Sequence, residues 1–337
     1  MSFDFKRLAD PGYFRENRMD AHSDHVAADA EGRSLRMTLN GAWYFFCARN
    51  EEQVISGFES MEYDCRPWAT IPVPAHIQME GYGHPQYCNT QYPWDGTDEA
   101  IEVGAVPTFF NPVACYVKYF MLPEEWEGDR VVLSFQGAES CVAVWVNGQY
   151  AGFASDSFTP DEFEITPLLR RGENKIACRV YRFGVSSWLE DQDFMRFSGL
   201  FRDVYLQRIP KAHLADLKVR TMLDDKYEDA VLEAELKIEA PEGSRVLLAL
   251  MDGDQLVTGC EAEASGEVKA ALPVSNPRKW SAECPNLYTL EIRMMDPETF
   301  LHLPPDLTDR IQRSHGFLEN DTDLISLERP ERITTAF

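Results

Sequence analysis

Short apolar runs punctuated by turn residues dominate this chain, and helical periodicity is nearly absent. Leu232, Ala234, Leu236 and Ile238 alternate with Glu233, Glu235, Lys237 and Glu239. This is the pattern of an antiparallel strand with one face packed and the other in water. Val246–Met251, an Asp252-Gly253 turn and a strand through Leu256-Val257 read as a hairpin. With Leu214–Met222, Gly266–Leu272 and Leu287–Met294 they predict six or seven strands within residues 210–295. An immunoglobulin-like β-sandwich follows from that density of short strands, although the Cys-Trp-Cys signature of antibody domains is missing.

Upstream, the apolar runs are short and continuous rather than alternating. Val131–Phe135, Val142–Val146, Gln149–Phe153, Glu162–Ile165 and Lys175–Tyr181 read as strands. Asn147-Gly148 between two of them is a strong hairpin signal, because both turn positions need positive φ. These runs predict a jelly-roll β-sandwich over residues 38–209, joined to the next domain at Ile209-Pro210-Lys211. The fold class is therefore all-β. Residues 1–37 read as an extended segment. Tyr13–His25 shows little periodicity and is expected to lie across a partner surface rather than on its own sandwich. Residues 296–337, broken by Pro297, Pro304 and Pro305, read as a divergent, loosely docked or disordered tail with one short helix at Asp306–Gln312.

Charge narrows the class of partner. A net charge of −24 over 337 residues argues against nucleic acid and anionic membranes. No apolar run approaches the ~20 residues of a membrane span, and Met1–Lys6 lacks the apolar core of a signal peptide. The eight cysteines are scattered without a C-x-x-C pair, so reduced thiols and a cytoplasmic location are expected. His22, Asp24 and His25 have weak metal-like spacing, for which structural hydrogen bonding is the simpler reading.

The densest chemistry lies in Ser187–Val204. It interleaves Glu190, Asp191, Asp193, Asp203, Arg196 and Arg202 with Trp188, Phe194, Phe197 and Phe201. Such a mixture suits a polar network held against a core, often beside a site for a hydroxylated ligand. Asp191 and Asp193 are two residues apart and would share a face of an extended segment, roughly 6–7 Å apart. That spacing suggests a catalytic pair, since retaining glycosidases use carboxyls ~5–5.5 Å apart. The plainer reading is a charge partnership with Arg196 and Arg202, or a role in positioning substrate. Glu190, Asp203, Arg196 and Arg202 read as network rather than ligand. Trp94 and Trp188 could stack on a sugar face, but packing against the sandwich is the commoner outcome.

This run closely resembles the S-W/Y-L-E-D-Q-D-x-W-R-x-S-G-I-F-R-D-V segment of glycoside hydrolase family 2, in its long β-galactosidase branch. Tyr13–Arg18, Leu39–Trp43, Ile71–Gln78, Asn89 with Tyr92-Pro93-Trp94, Phe135–Ser140, Trp145–Gly148 and Pro285–Leu290 resemble further stretches of that branch, in order, from about residue 10 to 295. Met195 departs from the usual Trp, Ala114 from the frequent Gly, and Phe183-Gly184 from a typical Trp-Ser. The resemblance implies that Asp193 contacts galactose and forms part of a sodium site, and that Asn89 lies on a loop reaching the galactose subsite. A loop cap is the alternative for Asn89.

In that family a (β/α)8 barrel carries both catalytic glutamates and most magnesium ligands, and it should begin soon after residue 296. The resemblance instead dissolves there. It implies a non-catalytic N-terminal part with no catalytic residue of its own, completing the galactose subsite of a barrel supplied elsewhere. Sodium and magnesium would belong to the complete enzyme. Partners would be a β-galactoside substrate and either further copies of the chain or a complementing fragment. A stand-alone carbohydrate-binding module and a truncated product without function are the other readings.

Overall fold

The computed structural model describes residues 3–24, 33–95, 101–190, 192–295 and 331–336. Its regular elements are mostly strands, and it divides into two compact units, one of Met1–Ala21 with Arg36–Arg208 and one of His22–Leu35 with Ile209–Phe337.

The first unit holds a seven-stranded sheet and a four-stranded sheet. The larger runs Arg15–Glu16, Gln149–Ala154, Cys141–Val146, Glu173–Tyr181, Val113–Met121, Gly41–Ala48 and Ala69–Val73 in spatial order. The smaller runs Asp161–Glu164, Arg130–Phe135, Val204–Ile209 and Arg36–Thr38. The continuous apolar runs have a physical cause: the central strands of the larger sheet are buried on both faces. Every residue of Cys141–Val146 is buried. Val142, Val144 and Val146 join the core with Trp43, Phe135 and Phe163. Cys141, Ala143 and Trp145 join a second cluster on the opposite face, with Phe58, Phe153 and Tyr181.

That second face is covered in part by the N-terminal segment. Phe3 and Tyr13 stack on Phe153 with ring centroids 5.6 and 4.9 Å away, and Leu8 is fully buried. Arg15–Glu16 pairs with Phe153 and Ala154 as the sheet's edge strand. The Glu16 carboxylate accepts from the hydroxyls of Tyr13 and Tyr150. The expectation that Tyr13–His25 avoids its own sandwich is thus corrected as far as Ala21. Its aromatic residues follow no helix or strand period because they cap a sheet from an irregular chain. From His22 the segment belongs to the second unit, where Ser23 N–H donates to Asp216 at 3.0 Å and Ser23 Oγ accepts from Leu217 N–H at 2.9 Å.

Asn147 and Gly148 turn the expected hairpin with φ of 52° and 80°. In the second unit Arg245–Asp252 pairs with Gln255–Glu263, so the turn is Gly253-Asp254, one residue later than read from sequence, with Gly253 at φ 61°. His213–Leu223, Ala230–Glu239 and Gly266–Val274 form one sheet. Gln255–Glu263, Arg245–Asp252, Tyr288–Met295 and Glu331–Thr335 form the other. Leu232, Leu236, Leu248, Leu272 and Leu290 lie in the core between them. Glu331–Thr335, expected within the divergent tail, pairs antiparallel with Tyr288–Ile292. A single strand of five residues far in sequence from its partner was not legible in the sequence. The helix expected at Asp306–Gln312 lies outside the described residues.

Candidate functional site

Gln86–Cys88 and Phe194–Arg196 form a two-stranded antiparallel ribbon apart from both large sheets, with Phe194 opposite Cys88 and Arg196 opposite Gln86. The next residue outward on each strand is Asn89 on one side and Asp193 on the other. The two sequence-predicted site residues therefore meet at the ribbon tip, where Asp193 N–H donates to the Asn89 carbonyl at 3.1 Å. Both side chains are exposed. Asp193 takes φ 55°, a left-handed conformation that Asp tolerates better than most residues. The Asn89 side-chain amide makes no hydrogen bond among the described residues, so it is free to donate and accept.

The carboxylate partner differs from expectation. Asp193 accepts a hydrogen bond from the Tyr87 hydroxyl rather than pairing with Arg196 or Arg202. That bond raises the pKa of the Tyr87 phenol. Arg196 points the other way, into the sandwich, and is 1% exposed. It donates to the Arg182 carbonyl and Ser187 Oγ, both at 2.7 Å, and to Ser140 Oγ, and lies 3.9 Å from the Glu139 carboxylate. Alternation along the strand explains the split, because neighbouring side chains face opposite sides. Arg196 thus roots the ribbon whose tip carries Asp193. Arg202 donates to the Phe158 carbonyl at 2.7 Å, and Asp203 accepts from Asn40 at 2.9 Å, so both belong to the loop network. Glu190 ends a short helix, Ser187–Glu190.

The tryptophans pack. Trp94 is buried and lies 4.7 Å from Trp188 in an edge-on arrangement, while Trp188 Nε1 donates to the Ala105 carbonyl at 2.7 Å. Beside them Asn89, Gln91, Tyr92, Trp188 and Gln192 line an open pocket of about 180 Å3. Asp191 lies outside the described residues, and so does the proposed Asp191/Asp193 pairing. His22 Nδ1 lies 2.8 Å from the Ser23 carbonyl oxygen, and His25 also falls outside the described residues. Among the described residues no group of three His, Cys, Asp or Glu side chains could hold a metal. No helix there is long and apolar enough to cross a membrane. Tyr87 and the Glu139, Ser140 and Ser187 partners of Arg196 lie in stretches that resemble the family, but the sequence assigned them no role. Nothing in a strand of three residues marks Tyr87, and the Arg196 partners come from separate segments, the short strand Ala138–Glu139 with the adjoining Ser140 and the short helix Ser187–Glu190.

Taken together, the site offers one carboxylate and one free amide on a rigid tip. Groups of this kind can accept from and donate to hydroxyls, whereas glycosidic cleavage by the retaining route uses two carboxyls.

Comparison with known proteins gives the family of the chain. Residues 36–210 match the glycosyl hydrolases family 2 sugar binding domain, and residues 212–312 match a second glycosyl hydrolases family 2 domain. The chain is 41% identical to a β-galactosidase of Halalkalibacterium halodurans over 300 residues, 86% of this chain and 30% of that protein. It is 34% identical to the β-galactosidase large subunit of Latilactobacillus sakei over 307 residues, 86% of this chain and 49% of the subunit. A family 2 glycosyl hydrolase structure from Bacteroides cellulosilyticus superposes with a TM-score of 0.60 at 22% identity, covering 78% of this chain and 34% of that one. That likeness is one of fold. The chain spans about 30–50% of the length of these curated relatives and matches their N-terminal part. By its two matched domains, this chain belongs to glycosyl hydrolase family 2.

Proposed function

We propose that this chain is the non-catalytic N-terminal part of a cytoplasmic β-galactosidase, completing the galactose subsite of a catalytic barrel. The observation that carries the reading is the meeting of Asn89 and Asp193 at an exposed tip rooted by buried Arg196. Exposed polar groups on a fixed tip suit a ligand held mainly by another domain. The Asp193 carboxylate accepts from sugar hydroxyls, and the Asn89 amide both donates and accepts.

A sodium ion would fit here only in part. Asp193 keeps one carboxylate oxygen clear of the Tyr87 bond, and a hard cation takes such oxygens. One ligand is a share of a coordination shell, so the remainder would come from the barrel. When bound, the ion would polarise a coordinated hydroxyl; the role of this chain is to hold Asp193 in place for it. The magnesium expected for the complete enzyme has, by the resemblance, most of its ligands in the barrel of the family. Association with that barrel or with further copies of the chain is the partnership this reading requires.

The test is complementation. The chain alone should not hydrolyse a nitrophenyl β-galactoside; mixed with the barrel-containing remainder of the Halalkalibacterium halodurans enzyme, it should restore turnover. Turnover by the chain alone would refute the non-catalytic role. Free galactose should bind the chain no more tightly than about millimolar, because small ligands lose freedom that a few exposed contacts barely offset. Calorimetry giving micromolar affinity would favour a stand-alone binding module, with the pocket beside Asn89 as its site.

A further inference from the structure

Tyr87 lies at the centre of Gln86–Cys88 and faces Met195 across the ribbon, two positions along from Asp193. Diagonal neighbours on one face of an antiparallel pair are roughly 7–8 Å apart, within reach of a tyrosine. The Tyr87 hydroxyl donates to Oδ1 of Asp193, while Asp193 N–H is held by the Asn89 carbonyl at 3.1 Å. Asp193 is therefore fixed at two points, one on its main chain and one on its carboxylate. Oδ2 is left for another donor.

The tyrosine is poorly placed to serve stability. It is 58% exposed, so its ring adds little to any core and its hydroxyl bonds a carboxylate that water also solvates. Hydrogen bonds in that setting contribute little to folding. The setting changes once a partner covers the tip. Water then leaves, and the same bond strengthens in a lower effective dielectric.

We propose that Tyr87 is a positioning residue, whose hydroxyl locks the Asp193 carboxylate so that its second oxygen is aimed at a hydroxyl of the bound galactoside. This rests on the reading above that Asp193 meets the sugar. The terminal torsion of an aspartate is broad and roughly two-fold. Without the phenol, the carboxylate turns freely and spends less time aligned, and small misplacements of an orienting group are costly in rate. Tyr87 itself need touch no sugar.

The experiment compares the chain as wild type, Tyr87→Phe, Asp193→Ala and the double variant, each mixed with the barrel-containing remainder of the Halalkalibacterium halodurans enzyme. Three quantities are measured: association of the two parts, kinetics on a nitrophenyl β-galactoside, and the dissociation constant of a non-hydrolysed thiogalactoside. Tyr87→Phe should lower kcat/KM by about tenfold, the scale of one lost hydrogen bond to a charged group. It should also weaken thiogalactoside binding, with the chain's melting temperature and its association unchanged. The double variant should match Asp193→Ala, since a lock has no value without the group it holds. Wild-type kinetics and affinity in Tyr87→Phe, or effects that multiply in the double variant, would overturn the positioning role. So would a loss confined to association or melting temperature. If Asp193→Ala is impaired and Tyr87→Phe is not, only the positioning role falls. If Asp193→Ala behaves as wild type, or the parts never associate, the subsite reading falls with it.

Discussion

Asp193→Ala should lower the restored galactosidase activity by roughly two orders of magnitude, the loss seen when a charged group that stabilises a transition state is removed. The expectation follows from where the carboxylate sits. It is exposed in the chain, so its removal leaves no cavity and no buried orphan. The stability cost is limited to the backbone, since alanine at the φ of 55° held by Asp193 costs about 1–2 kcal/mol. Asp193→Asn separates the two effects. Asparagine tolerates the left-handed conformation, keeps the shape and can still accept from Tyr87, but it carries no charge. Asp193→Asn should therefore melt like wild type and still lose most of the restored rate. Association and hydrolysis are to be measured separately, by sedimentation and by initial rates. Tight association with equal rates from wild type, Asp193→Ala and Asp193→Asn would remove Asp193 from the subsite.

Much of this fold is legible from residue spacing, and the illegible parts share a cause. Ala230–Glu239 alternates cleanly because one face meets a core and the other meets water. Cys141–Val146 was legible as a strand, yet its unbroken apolar run gave no hint of what covers the second face. The cover comes from Phe3, Leu8 and Tyr13, which pack from a segment that is irregular apart from one short 3-10 helix, Phe5–Ala9, and so leave no period to read. Glu331–Thr335 is invisible for a related reason: an edge strand of five residues needs little apolar patterning of its own. At the site, Asn89 and Asp193 stood out by resemblance. Their contact depends on a strand pairing between distant segments, which a single sequence does not display. Arg196 was recognised as part of a network; of the two neighbouring aspartates offered as its partners, Asp193 bonds Tyr87 instead, and Asp191 lies outside the described residues. Side-chain alternation turns Arg196 inward to serine hydroxyls and a main-chain carbonyl instead.

Arg18→Ala should destabilise the first unit by about 3–5 kcal/mol, the usual cost of stranding one member of a buried ion pair. The Arg18 side chain is 9% exposed and that of Asp161 is 1% exposed, with Nε 2.7 Å from Oδ1. Arg18 also donates to the Pro160 carbonyl at 3.0 Å, and the next residue, Met19, donates its N–H to the Glu162 carbonyl at 2.8 Å. One side chain thus ties the N-terminal segment to the strand Asp161–Glu164. Burial pushes the Asp161 carboxyl well above the ordinary aspartate range, and Arg18 is the charge that opposes this. Without Arg18 the opposing attraction is gone, so the buried acid favours its neutral form more strongly. A group whose folded pKa is raised takes up protons on folding, so stability falls as pH rises from the unfolded pKa through the folded one. The deficit of Arg18→Ala should therefore be largest near neutral pH and shrink as the solution is acidified towards the unfolded aspartate pKa. Arg18→Ala combined with Asp161→Asn should recover much of the loss, because neither member of the pair is then left as an unpaired buried charge. Urea unfolding of the single and double variants across pH reads all three effects. A domain of this size should lose roughly 10 °C in melting temperature at neutral pH. A single variant as stable as wild type would show that the Arg18–Asp161 pair does not hold the N-terminal segment to the strand Asp161–Glu164.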